Sequence, residues 1–247
     1  MGSRAAGLGY TSSCLDDEWA VFNNIAGLAK IEKVTASFTY DAQPSFKPFN
    51  RMAAVVAVPL KFTVAGAGVF RFGDQLFSEQ ILALGFSNTF GLAALGAKVN
   101  YIQYRAEGFG TKGVLTISFG GIAKLTDKIS VGAHIINLNQ PNLSKTDGEK
   151  LSTILIVGTL FKLTSQTFVT TELEKDLNYQ VKWKMGVEYQ PYKKFTFRTG
   201  FNVNPTSAFF GFGCRAKKLK LDYAYQHNFS LGAKHQGTVG YSINQKK

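Results

Sequence analysis

The stretch Val181-Lys182-Trp183-Lys184-Met185-Gly186-Val187-Glu188-Tyr189 decides the fold. Its odd positions are bulky and apolar, and its even positions are charged or small. Successive residues of a strand point to opposite faces, so this segment is a strand with one apolar and one polar face. The same period of two recurs downstream. Phe195, Phe197 and Phe201 alternate with Thr196, Arg198 and Asn202. Leu219, Leu221, Tyr223 and Tyr225 alternate with Lys220, Asp222, Ala224 and Gln226, and Val239, Tyr241 and Ile243 with Gly240, Ser242 and Asn244. Upstream, Val34, Ala36, Phe38 and Tyr40 stand against Thr35, Ser37 and Thr39, and Leu115, Ile117 and Phe119 against Thr116, Ser118 and Gly120. Only at Arg51 to Pro59 and Leu151 to Leu160 do both faces look apolar.

Marking every such run predicts fourteen strands of roughly ten residues, the length that crosses a bilayer when tilted. They start near Lys33, Arg51, Phe62, Glu79, Leu92, Lys112, Lys128, Lys150, Gln166, Tyr179, Lys193, Thr206, Lys218 and Lys234. Tight turns at Pro59-Leu60-Lys61, Leu125-Thr126-Asp127, Leu163-Thr164-Ser165 and Tyr192-Lys193 alternate with longer links at Asp41 to Asn50, Gly73 to Ser78, Gln140 to Gly148 and Asn228 to Ala233. That is the rhythm of periplasmic turns against outer loops, and an even count puts both termini on the periplasmic side. The expected fold is an all-β, membrane-spanning antiparallel barrel over residues 33–247. A soluble β-sandwich or lipocalin-like cup would point its large apolar residues inward instead, and alternation alone does not say which face is outside. The rings at Tyr40, Phe72, Tyr101, Tyr189 and Tyr225 suit the aromatic girdles of a membrane barrel.

Composition agrees. The chain has 21 Phe and 10 Tyr but only 3 Met and 2 Trp, with 18% charged residues. No run of about 18 uncharged apolar residues exists, which excludes a membrane-spanning helix. The net charge of +12 raises nucleic-acid binding, but that needs a basic stripe, whereas the lysines here are scattered and many sit in short turns. No nucleic-acid partner is expected. Cys14 and Cys214 belong to no shared motif and read as two unrelated thiols. Met1 is followed by Gly2-Ser3-Arg4 with no apolar signal region, so any signal peptide is expected to be already removed.

Residues 1–32 break the rhythm. Ser13 or Asp16 can cap a short helix whose first turn carries Asp16, Asp17 and Glu18, with Trp19, Val21 and Phe22 on an apolar side and Asn23, Asn24 and Gly27 as stops. A fourteen-stranded barrel is too wide for its own side chains to fill. This segment is therefore expected to lie inside as a hatch, through Arg4, Asp16, Asp17, Trp19, Asn23 and Asn24. The expected lumen charges are Lys98, Lys182, Lys184, Glu188, Arg198, Lys220 and Asp222, with the hatch's acidic cluster meeting the cations.

No catalytic constellation emerges. His134, His227 and His235 have no metal-ligand spacing, and His134 and Ser130 share a strand face too far apart for a nucleophile–base pair. Glu172 and Glu174 share a face without marking a paired-carboxylate site. Gly66-Ala67-Gly68 and Phe210-Gly211-Phe212-Gly213 lack the strand-to-helix context of a phosphate loop and read as places of close packing. No cofactor, metal or enzymatic activity is expected.

The runs Gly2-Ser3-Arg4-Ala5-Ala6-Gly7-Leu8-Gly9 and Asp16-Asp17-Glu18-Trp19-Ala20-Val21-Phe22-Asn23-Asn24-Ile25-Ala26-Gly27-Leu28-Ala29 resemble the start of the PorV/PorQ family of Bacteroidota outer-membrane proteins. Ile25 stands where that family usually has Pro. The resemblance implies a barrel similar to the fatty-acid transporter FadL, in a Gram-negative outer membrane, linked to type IX secretion. It implies a barrel subunit of a secretion or outer-membrane assembly machine, contacting membrane lipid and a larger barrel or surface lipoproteins. The alternative is a FadL-like passive transporter of hydrophobic small molecules.

Overall fold

The structure, a computed structural model, describes residues 1–143, 148, 150–229 and 232–243. Fourteen strands lie among them: β1 (Val34–Ala42), β2 (Arg51–Pro59), β3 (Val64–Gly73), β4 (Phe77–Phe90), β5 (Ala93–Ala106), β6 (Gly110–Lys124), β7 (Ile129–Ile136), β8 (Ile154–Lys162), β9 (Thr167–Asp176), β10 (Lys182–Tyr192), β11 (Phe195–Val203), β12 (Ser207–Ala216), β13 (Leu219–Asn228) and β14 (Gly232–Ile243). Each pairs antiparallel with its neighbours in sequence. β1 meets β14 from Val34↔Ile243 to Ala42↔His235, which closes the barrel. β8 and β10 begin later than alternation suggested, at Ile154 and Lys182. Residues just before β8 serve the loop instead: Leu151 N–H donates to Pro141 O, and the Thr153 hydroxyl donates to Asn137 O.

The side chains settle which face is outside. On β11, Phe197 is 50% exposed while its neighbour Arg198 is 5% exposed. On β1, Phe38 and Tyr40 are exposed while Thr35, Ser37 and Thr39 are buried. This is the inverse of a soluble sandwich or cup. An apolar exterior running round a closed barrel has hydrocarbon as its solvent. Among the described residues no helix is long and apolar enough to cross a membrane.

Where β2 looked apolar on both faces, the reason lies in the lumen. Ala53, Val55 and Ala57 point inward and pack with Trp19, Val21, Ile25 and Leu28 of the N-terminal segment. The inner wall is thus apolar where the segment is apolar, and polar elsewhere. Phe72 departs from the girdle expectation. Even positions of β3 face inward, so Phe72 packs against this same cluster, whereas Tyr40, Tyr101 and Tyr189 stand exposed on the outer face.

The loop rhythm is weaker than expected. The turns 60–63, 91–92, 125–128, 163–166, 193–194 and 217–218 lie at one end and the links 43–50 and 137–153 at the other, but the links 74–76, 107–109 and 204–206 are as tight as the turns. β6 runs on past β7, and the polar residues Gln80, Gln103 and Arg105 lie within paired strands. The expected link from Gln140 to Gly148 lies partly outside the described residues, as do Asn244 and part of the link from Asn228 to Ala233.

Candidate functional site

The N-terminal segment is not one helix but three short pieces threaded along the inner wall. They are α1 (Ser3–Gly7) and 3-10 turns at Glu18–Val21 and Ile25–Lys30. The Asp17 carboxylate caps the first 3-10 turn by accepting from Trp19 N–H at 3.1 Å. Asn24 does not stop that turn but caps the next, accepting from Ala26 N–H at 3.2 Å. Ile25 therefore occupies the first helical position, where Pro is tolerated best. Contact with the barrel, more than local propensity, selects these short turns. At Gly186 an added Cβ would stand 2.6 Å from Leu8 O, and at Gly200 it would overlap the backbone of Leu8 and Gly9. At these two positions the segment's backbone lies against the wall's own backbone, which a side chain would prevent.

Charge fixes its middle. Arg4 grips Glu188 with a two-pronged fork, Nε to Oε2 at 3.0 Å and Nη2 to Oε1 at 3.1 Å, and its Nη1 reaches Asp17 at 3.3 Å. Glu188 Oε2 also accepts from Arg198 Nε at 2.6 Å, and Arg198 Nη1 donates to Asp222 at 2.7 Å. Lys220 stands 3.3 Å from Glu18 and 3.7 Å from Asp222, and Glu18 accepts from the Ser37 hydroxyl at 2.6 Å. Burial alone would lower the pKa of Arg4, but Glu188 and Asp17 raise it well above its ordinary value. Burial would raise Asp17, but Lys220 and Arg4 outweigh it and hold that carboxyl below its usual range. The partition differs from the expected one. Of the lumen cations only Lys220 pairs directly with the acidic cluster, Arg198 is engaged by two barrel carboxylates, and the segment supplies its own cation, Arg4, to the wall. Asp16 sits at the edge, 3.4 Å from Lys30.

A second anchor went unrecognised in the sequence. Glu172 is 1% exposed, and its Oε2 accepts from both Ser12 N–H and Ser13 N–H at 2.8 Å. Its other oxygen accepts from Lys184 Nζ at 2.8 Å, and Lys184 also reaches Glu174 at 2.6 Å, which Lys182 joins at 2.8 Å. The available signal was that Glu172 and Lys184 lie opposite in the β9–β10 register on the polar face. Lys98, expected to meet a carboxylate, donates instead to the carbonyls of Val21 and Asn23 at 2.9 and 3.2 Å. The Asn23 amide donates to Met1 O at 3.0 Å, and Trp19 is sealed in the apolar cluster.

Asn24 is where segment and wall interlock. Its amide donates to Ser13 O at 2.6 Å and to Gly121 O of β6 at 3.0 Å, and Ala133 O of β7 lies at 3.5 Å. β6 and β7 pair only from Phe119↔Ile135 to Lys124↔Ser130, and beyond that the Asn139 side chain continues the ladder, bonding Ile117 N–H and Leu115 O. Directly outside lies an apolar depression of about 430 Å³, lined by Leu95, Phe119, Gly121, Ala133, Ile135 and Leu155. Two further cavities flank the segment along the lumen. One of about 470 Å³ at the short-turn end includes Arg4, Lys33, Glu188, Arg215 and Lys218 in its lining, and one of about 330 Å³ at the other end includes Tyr10, Arg51, Asn202 and Gln226.

Among the described residues no three His, Cys, Asp or Glu side chains could hold a metal ion. His134 is buried at an inward position of β7, His235 contacts Tyr223 Oη at 2.6 Å, and Cys14 and Cys214 are both free thiols.

No model of a known protein family matches the chain, and comparison with curated proteins gives no significant match. Among solved structures, the toluene transporter TodX of Pseudomonas putida superposes with a TM-score of 0.75 at 13% identity, over 100% of this chain and 99% of that one. The monoaromatic hydrocarbon channel CymD superposes with a TM-score of 0.73 at 12% identity, over 99% of this chain and 98% of that one. The chain is a fourteen-stranded, closed membrane barrel similar in fold to these hydrocarbon channels.

Proposed function

We propose that this chain is a Gram-negative outer-membrane barrel that passes hydrophobic small molecules passively, with residues 1–32 as its hatch. The observation that carries this reading is the thin wall at Asn24. An apolar depression on the lipid face is separated from the hatch only by Gly121, Ala133 and the short β6–β7 ladder. A molecule partitioned into the bilayer can collect there without meeting water. Parting the β6–β7 ladder at Gly121 and Ala133, with Asn24 leaving Gly121 O, would then connect the depression to the lumen, with the ligand moving down its own gradient. The likeness to channels for toluene and other monoaromatics supports ligands of that size. In cells of a host without its own transporter, expression should speed uptake of a labelled monoaromatic. Replacing Gly121 and Ala133 with Leu, which fills the depression, should abolish the gain. Uptake no faster than in empty cells overturns the proposal.

A second reading, a barrel subunit of a secretion or assembly machine of the type IX kind, has one observation in its favour. The two larger cavities in the lumen are lined largely by charged and amide groups, a poor route for an apolar molecule, and the hatch between them carries the PorV/PorQ-like run. Affinity purification from the native membrane separates the two readings. Co-purification of a larger barrel or surface lipoproteins supports the second, and a lone barrel sinks it.

A further inference from the structure

The lysines that are scattered along the sequence gather in space. The turns 60–63, 91–92, 125–128, 163–166, 193–194 and 217–218 share one end of the barrel, and there the period of two carries a base onto inward register positions of several strands. Lys33 lies two residues before inward Thr35, Lys128 two before Ser130, Lys162 two after Leu160, Lys194 two before Thr196, Arg215 two after Gly213 and Lys218 two before Lys220. Lys33, Arg215 and Lys218 line the cavity of about 470 Å³ at this mouth. The carboxylates deeper in that cavity are already engaged, Asp17 and Glu188 by Arg4 and Glu18 by Lys220. Lys33, Lys128, Lys194, Arg215 and Lys218 have no carboxylate partner among the described residues.

The spacing of these bases indicates what fits them. Neighbouring strands lie about 4.8 Å apart, and a tilt of about 40° spreads their ends to about 6 Å round the rim. In an extended peptide every second side chain falls on one face, about 6.7 Å from the last. Lys194, Arg215 and Lys218 mark three consecutive strands, and Lys33 continues the arc beyond β14. The geometry points to an acidic polypeptide segment, extended and with a carboxylate at every second residue, as the ligand of this mouth. Phospholipid headgroups fit less well, because these positions face the lumen while the lipid tails lie beyond the wall. This inference does not depend on the transport reading.

The test uses the full chain in zwitterionic nanodiscs and a fluorescent peptide of alternating Asp and Ser, followed by anisotropy. The peptide should bind, should bind more weakly as salt rises, and should lose at least tenfold in affinity when Lys194→Gln, Arg215→Gln and Lys218→Gln are combined. A peptide of the same composition with its Asp residues in one block should bind more weakly than the alternating one. A heat-dependent gel shift checks that the triple variant folds, and if it does not, Arg215→Gln and Lys218→Gln are read singly in the same titration. Absence of binding, or equal binding by the variants, overturns the proposal. So does tighter binding of a single-stranded oligonucleotide of equal charge, or retention of phosphatidylglycerol that depends on these bases while the peptide does not bind.

Discussion

Glu172→Gln should release the hatch without unfolding the barrel. The carboxylate holds Lys184 and two backbone N–H groups of the hatch, all at 2.8 Å, with essentially no access to water. Removing one partner of a buried ion pair costs about 3–5 kcal/mol. The glutamine oxygen can still accept from Ser12 or Ser13, and Lys184 keeps Glu174 at 2.6 Å. The low end, about 3 kcal/mol, therefore applies, and at 1.4 kcal/mol per tenfold it raises the undocked fraction about 140-fold. Cys14 reports on this directly. It is 5% exposed, with Sγ 3.6 Å from Gly158 O and 3.7 Å from Ser130 O of the wall. Burial pushes its thiol up to about 11, so it reacts only when the hatch leaves. With Cys214→Ser in the background, thiol labelling in detergent should speed up by about two orders of magnitude, while the heat-dependent gel shift stays unchanged. An unchanged labelling rate, or loss of the gel shift in step with labelling, would mean that Glu172 does not hold the hatch.

Gly186→Ala should also raise Cys14 labelling, because its Cβ would press on Leu8 O, whereas Gly237→Ala, which meets nothing within 4 Å, should not. The lowered pKa of Asp17 makes its contribution full above the unfolded carboxylate value of about 3.9 and lost as pH falls through the lower folded value. Fluorescence of buried Trp19, with Trp183→Phe as background, should thus be flat from neutral pH down to about 4 and change only in stronger acid, and Asp17→Asn should remove that acid step. Leu84→Arg, mid-strand on the outer face of β4, should cost about 2–4 kcal/mol of barrel stability in liposomes, measured by denaturant titration.

The barrel was legible because a period of two survives in nearly every strand, and the strand count follows from it. Which face is outside was not, since alternation is symmetric until something fills the lumen. The double apolar pattern at Ala53, Val55 and Ala57 makes sense only once Trp19 and Leu28 lie against it. The hatch's inner structure was hidden for a related reason. Gly27, read as a stop, lies within a 3-10 turn because a side chain there would overlap Leu15 O, a contact no local rule encodes. Glu172 was seen only as a neighbour of Glu174, since two of its ligands are backbone N–H groups at Ser12 and Ser13, in a segment remote from it in sequence. The basic mouth was read as scatter because turns distant in sequence share one end of the cylinder.

If residues 1–32 close an otherwise open barrel, single-channel recording in a planar bilayer will show it. The full chain should show no steady ion conductance, and a variant lacking residues 1–32 that keeps its heat-dependent gel shift should open a large, persistent pore. Equal conductance from the two proteins would contradict the account.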